Sequence, residues 1–125
     1  MQRLCLGIES TAHTLGLGLV DSAGKALADV RRTYRPPTGG IHPREAARMM
    51  ASHAGEALRE SFSESGASPD DLSLVSFSQG PGLGPCLRTG ATLARSISSY
   101  LGVPLVGVNH CVAHIEVGRK YGDSV

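Results

Sequence analysis

Two histidines stand four residues apart in the run His110-Cys111-Val112-Ala113-His114. On a helix, residues at this spacing share one face with their Cβ atoms about 5–6 Å apart. Both imidazoles can then reach a single metal ion at roughly 2.0–2.1 Å. Cys111 is one residue further round and points away from that face. The zinc-protease pattern requires glutamate directly after the first histidine, as general base; Cys111 stands there, so that mechanism is not supported. The alternative is that the histidines cap and pack the start of an ordinary helix. Two ligands are in any case too few for a tight site.

Two other clusters have chemistry-bearing composition. Glu9-Ser10-Thr11-Ala12-His13-Thr14 is a polar hairpin between two apolar runs, and Glu9 leaves the first of them at the end where open sheets place their ligands. Ordinary turn chemistry, with hydroxyls bonding local backbone, is the competing account. From Ser78 to Pro85 the chain is glycine-rich and feeds a helical pattern, so it is either a rigid turn or an anion cradle. A dinucleotide fingerprint starting at Gly80 would need glycine at position 85, where Pro85 stands, and no Gly-Lys-Ser/Thr loop occurs. Gly39-Gly40-Ile41-His42-Pro43 is a gate or a simple connector. The absence of a G-x-S-x-G elbow, of paired carboxylates and of a basic patch interleaved with aromatics argues against an esterase, a glycosidase and a single-strand nucleic-acid platform.

The elements that must position these residues follow from periodicity. Residues 3–8, 15–20 and 25–34 read as three strands joined by tight turns, the second alternating leucine with glycine at positions 16 and 18. Pro43 suits the first position of a helix, with Glu45 in its first turn. Ala46, Met50, Ala54, Leu58 and Phe62 then recur every four residues. Leu72 to Ser78 is a buried strand. Leu87, Ala91, Ala94, Ile97 and Leu101 mark a second helix, and Leu105 to Val108 a further strand. Asn109 caps a third helix running to about Lys120. The order β-β-β-α-β-α-β-α predicts an α/β fold: a three-stranded antiparallel meander extended by parallel strands, with right-handed crossovers and helices on both faces.

Composition bounds the rest. With 125 residues, 41% hydrophobic and 18% charged, the chain forms one domain with a real core. A net charge of +1 gives no bulk attraction to nucleic acid. Three well-separated cysteines, Cys5, Cys86 and Cys111, do not form a disulfide framework and fit a reducing, cytoplasmic compartment. The first residues lack a signal-peptide apolar region, and no run approaches the roughly 18 residues of a membrane helix.

Four segments in order carry a resemblance. Gly7-Ile8-Glu9-Ser10-Thr11-Ala12-His13-Thr14, Gly40-Ile41-His42-Pro43-Arg44-Glu45-Ala46-Ala47, Gln79-Gly80-Pro81-Gly82-Leu83 and Asn109-His110-Cys111-Val112-Ala113-His114 together resemble the tRNA threonylcarbamoyltransferase family in its archaeal and eukaryotic form, the universal subunit of the KEOPS complex. The resemblance implies an actin-like, sugar-kinase-type fold of two ribonuclease-H-like lobes with the active site between them. Residues 1–125 would then be the N-terminal lobe, and the second lobe, with its nucleotide-phosphate motif and acidic metal ligand, is absent from this chain.

The activity implied is transfer of a threonylcarbamoyl group from threonylcarbamoyl-adenylate to N6 of the adenosine beside the anticodon, with the lone lobe inactive. His110 and His114 match the family's histidine ligands to one divalent metal ion, iron or zinc, and the full-length protein would bind threonylcarbamoyl-adenylate or ATP. Glu9, Thr11 and His13 are the candidate catalytic residues of the cleft floor, although bacterial members carry an acidic pair in this hairpin where His13 stands here. Implied partners are a small dimeric KEOPS subunit contacted through the helices of this lobe, a kinase-like subunit, and tRNA held by the assembly, with no membrane. A non-catalytic dimerisation module of the same fold is the alternative. A stand-alone metal-dependent hydrolase is a third reading, which needs a further ligand from His13, His42 or His53.

Overall fold

Leucines alternating with small or polar residues build the first hairpin of the computed structural model, which describes residues 3–36, 39–40 and 42–113. Strand β1 (Leu4–Glu9) buries Leu4, Leu6 and Ile8, and β2 (Thr14–Asp21) buries Leu15, Leu17 and Leu19 on the same side. Their antiparallel register sets Leu6 opposite Leu19 and Ile8 opposite Leu17. A period of two sends the remaining residues, Gly7, Gly16 and Gly18 among them, to the other face. Asp21 closes the next turn by accepting the amides of Ala23 and Lys25, both at 2.9 Å, and Gly24 supplies the positive φ of 85°. Strand β3 (Ala26–Thr33) follows, buried through Ala28 and Val30.

Helix α1 (Pro43–Ser65) begins on its proline and ends at Gly66, whose left-handed φ of 73° lets its amide reach the Phe62 carbonyl. A single 3₁₀ turn, Pro69–Asp71, closed by a reciprocal Ser68–Asp71 box, delivers the chain to β4 (Leu72–Gly80). Helix α2 (Gly84–Leu101) likewise ends at a left-handed glycine, Gly102, and β5 (Leu105–Asn109) completes the sheet. The strand order is β3-β2-β1-β4-β5, antiparallel through β1–β3 and parallel through β1, β4 and β5. The expected mixed sheet is therefore present.

Both helices cover the leucine face. Helix α2 lies close to it because the residues turned toward the sheet are small: Cys86, Gly90 and Ala94. Of the sequence stripe, Ala94 is buried as expected, whereas Leu87, Ala91, Ile97 and Leu101 sit to one side, only half-buried. Helix α1 shows a similar departure. Ala46, Met50 and Ala54 are buried as expected, but the stripe continues through Ala57 and Ser61, leaving Leu58 and Phe62 half-buried. Steps of four residues advance about 40° per step beyond a full turn, and the step of three from 54 to 57 brings the face back. Ser61, fully buried, satisfies its hydroxyl on the Ala57 carbonyl at 2.9 Å. Cover for the opposite face depends on the helix that starts at His110; its first turn is described to Ala113, and the expected run to Lys120 lies outside the described residues.

One charged network clamps α1 to β3. Arg32 donates to Glu60 at 2.7 Å and Glu56 at 3.2 Å, and Glu56 also meets the His53 ring at 2.8 Å. The hydrogen bond from His53, followed by that from Arg32, holds the Glu56 carboxyl below the usual carboxylate range. A depressed folded-state value means that the stabilisation is fully present above the ordinary carboxylate range and is lost as pH falls from there through the lower folded value. The difference in thermal midpoint between wild type and Glu56→Gln should therefore be measurable at neutral pH and vanish in acid. A difference that persists unchanged in acid rules out the ionic clamp.

Candidate functional site

The parallel strands β1, β4 and β5 present their carboxyl ends along one edge of the sheet, where ligands of open α/β sheets bind. Glu9 is the last residue of β1, and His110 follows the last residue of β5. Asn109 terminates that strand and caps the next turn, its Oδ1 accepting the amides of Cys111 at 2.9 Å and Val112 at 3.1 Å. Although β4 separates the two strands, the side chains converge: His110 Nδ1 lies 4.0 Å from Glu9 Oε1. The carboxylate is 44% exposed and the imidazole 28%, so both reach solvent.

Glu9 does not swing freely. The Thr11 amide donates to Glu9 Oε1 at 2.7 Å, and the Thr11 hydroxyl donates to the same oxygen. Thr11 itself is only 7% exposed. Beside this pair, among the described residues, lies a groove of about 600 Å³ over the glycine face of the sheet. Its floor is the backbone of Gly7, Gly16 and Gly18; Glu9, His110, Asp29 and Arg31 stand round it. The Arg31 guanidinium forks onto the Asp29 carboxylate at 3.0–3.1 Å, an exposed pair that contributes little to stability.

Of the three hairpin candidates, only Glu9 lines this groove. Thr11 acts on Glu9 rather than facing the groove. The His13 ring packs against Tyr34, centroids 6.4 Å apart, and its Nε2 is buried with no hydrogen-bond partner among the described residues. His114 lies outside the described residues, so the spacing of the histidine pair is not measured. His53 is engaged with Glu56 on α1, and His42 precedes that helix. Among the described residues no group of three or more His, Cys, Asp and Glu side chains could hold a metal ion. The donors that do converge, one imidazole and one carboxylate, are of the kinds iron and zinc accept.

The glycine loop braces the hairpin. The Leu83 amide donates to the Thr11 carbonyl at 2.7 Å, so that donor is taken up by the protein itself. Ser10 and Ser78 fall in the two polar segments picked out above without a role of their own, and Gly90 in neither; together they support the hairpin from below. The available signal was Gly90, a glycine inside a helical pattern, which marks a close approach.

The fold recurs in solved structures. YeaZ from Pseudomonas aeruginosa superposes with a TM-score of 0.75 over 95% of this chain and 49% of that one, at 14% identity. A Thermus thermophilus RuvC, solved in complex with a Holliday junction substrate, gives 0.56 over 97% of this chain and 71% of that one, at 15% identity. At such identities the likeness is one of fold, and it makes the chain an α/β protein of ribonuclease-H-like architecture. Sequence is more specific. The family model for tRNA N6-adenosine threonylcarbamoyltransferase matches residues 25–124, and the chain belongs to that family.

Relatives include the "Probable bifunctional tRNA threonylcarbamoyladenosine biosynthesis protein" of Methanosphaera stadtmanae, 55% identical over 93% of this chain and 22% of that protein. The tRNA N6-adenosine threonylcarbamoyltransferase of Methanopyrus kandleri is 52% identical over 93% of this chain and 34% of its own length. That of Hyperthermus butylicus is 52% identical over 96% and 34%. The chain thus spans between about a fifth and a third of the relatives it matches.

Proposed function

We propose that this chain forms one wall of the active-site cleft of a tRNA N6-adenosine threonylcarbamoyltransferase, acting with a second lobe of the full-length protein. The observation that carries the reading is the convergence of Glu9 and His110 at the carboxyl ends of parallel strands, His110 standing within residues 25–124 that match the family. In the reaction, the exocyclic N6 of the adenosine beside the anticodon forms a bond to the carbonyl carbon of threonylcarbamoyl-adenylate. The bond from that carbon to the phosphate oxygen breaks, and AMP leaves with the electron pair. Glu9 is the group placed to take the proton the amine loses, held for that task by the two hydrogen bonds from Thr11. His110, with His114, would hold the family's divalent ion, iron or zinc. Such an ion supplies Lewis-acid polarisation of the transferred carbonyl when bound. His13, whose buried Nε2 has no hydrogen-bond partner among the described residues, supports the hairpin beside Tyr34.

The outer groove between α1 and α2, about 510 Å³ and lined by small residues such as Ala51, Ala54, Thr89 and Thr92, suits close packing of a helical partner. It is the surface assigned to the small dimeric KEOPS subunit, with the kinase-like subunit and tRNA engaged by the whole assembly. A net charge of +1 agrees with tRNA being held by more than this lobe. The free cysteines fit a cytoplasmic setting, and among the described residues no helix is long and apolar enough to cross a membrane.

The decisive experiment supplies threonylcarbamoyl-adenylate and a tRNA transcript to the 125-residue chain and to a full-length protein containing it. The longer protein should modify the adenosine and the short chain should not. Modification by the short chain alone, or none by the longer protein in its assembled complex, overturns the proposal; the second outcome favours a non-catalytic dimerisation module.

A further inference from the structure

Two close approaches converge on the residues that follow Glu9. Ser10 is fully buried; its amide donates to Ser78 Oγ at 3.1 Å, and its own hydroxyl has no hydrogen-bond partner among the described residues. What lies against that hydroxyl is Gly90 of α2. A Cβ at position 90 would overlap Ser10 Oγ and sit 3.0 Å from Ser10 Cβ. One residue on, the Thr11 carbonyl accepts the Leu83 amide at 2.7 Å, and here Gly82 is the neighbour. A Cβ at position 82 would come within 2.6 Å of the Thr11 oxygen and 2.9 Å of its Cα and Cβ. Neither glycine has a positive φ, so backbone conformation is not what these positions require. Room is what they require: a methyl group at either would fall inside van der Waals contact with the hairpin backbone or its first side-chain atoms.

We infer that Gly82 and Gly90 are positioning residues for the Glu9 carboxylate. By admitting the hairpin against the start of α2, they fix Ser10 and Thr11, and Thr11 fixes Glu9 through its amide and hydroxyl. At position 90 the displacement caused by an added methyl falls on the hairpin rather than on α2. The helix is held by its own backbone ladder and by buried Cys86 and Ala94, whereas the hairpin tip is a connection between strands. The inference rests on the proposed function only for what the carboxylate does; its geometry stands without it.

The test is nuclear magnetic resonance of the 125-residue chain with no metal, nucleotide or tRNA present, so its outcome is separate from that of the transfer assay. The Thr11 amide, donating to a carboxylate, is the reporter. In Gly82→Ala and Gly90→Ala its resonance should shift upfield and its exchange protection fall about tenfold or more, the lower end for a hydrogen bond to a charged group. The double variant Ser10→Gly with Gly90→Ala removes the two Ser10 atoms that crowd the new methyl, leaves only the ordinary 3.7 Å contact with Ile8 Cγ2, and should restore the Thr11 resonance. Gly55→Ala, on α1 with only the Arg59 side chain nearby, is the control and should leave Thr11 unmoved. A Thr11 amide that keeps its position and protection in both single variants overturns the inference. So does a double variant no closer to wild type than Gly90→Ala, and that pair decides alone if Gly82→Ala does not fold.

Discussion

Leu6→Ala should lower the stability of this chain by about 3–5 kcal/mol, within the range for emptying a fully buried leucine site. Leu6 is wholly inaccessible on β1, the middle strand of five, with β2 on one side and β4 on the other and the helices above. None of its neighbours can relax into the space without leaving its own strand or helix position, so the cavity persists. Thermal unfolding followed by circular dichroism should show the midpoint falling on the order of 10 °C or more. Cys5→Ala, one residue away and on the opposite face, should cost less than about 1 kcal/mol, since that side chain is half-buried and the one hydrogen bond of its Sγ among the described residues is a long 3.5 Å contact with Ser76 Oγ. Equal losses in the two variants would mean that the core lies on neither face preferentially.

In the full-length protein, His110→Ala and His114→Ala should each remove most of the bound metal and slow threonylcarbamoyl transfer at least about a hundredfold. That is the upper end of what losing a mere supporting partner of a ligand does. Elemental analysis of the purified variants reads the first effect and the rate of adenosine modification the second. His53→Ala, whose ring pairs with Glu56 on α1, is the control and should keep both metal and activity. Unchanged metal content in either variant refutes the assignment of the histidine pair.

Much of the fold was legible because its signals are local. Leucine alternation named the faces of β1 and β2, Pro43 marked the start of α1, and the glycine-serine run after Phe62 marked its end. Helix faces were less legible. Large apolar residues such as Leu87 drew the stripe of α2, yet of that stripe only Ala94 is buried, and it shares the sheet side with Cys86 and Gly90. Small residues carry little hydrophobic signal but decide how near two elements can come. The site divides in the same way. Glu9 and His110 could be picked out as residues at strand ends, but their 4.0 Å separation depends on the order β1-β4-β5, which no spacing in the chain encodes. That Thr11 turns inward to hold Glu9, and that Gly82 and Gly90 support it, follows from packing between segments remote in sequence.

The sheet order also has a consequence for how the chain comes together in time. Strand β1 is central, yet one of its two edges is satisfied by β4, with Ser10 meeting Ser78 across 68 positions. During synthesis the meander of β1, β2 and β3 can form early, while the far edge of β1 keeps its amides and carbonyls unpaired until β4 emerges. Closing a loop of that size is slow compared with pairing a hairpin. Helix α1 leaves before β4 and can shield the leucine face meanwhile, but it does nothing for the exposed edge. The residues nearest that edge at its carboxyl end are Glu9 and Ser10, so the future site is the last part of β1 to be enclosed.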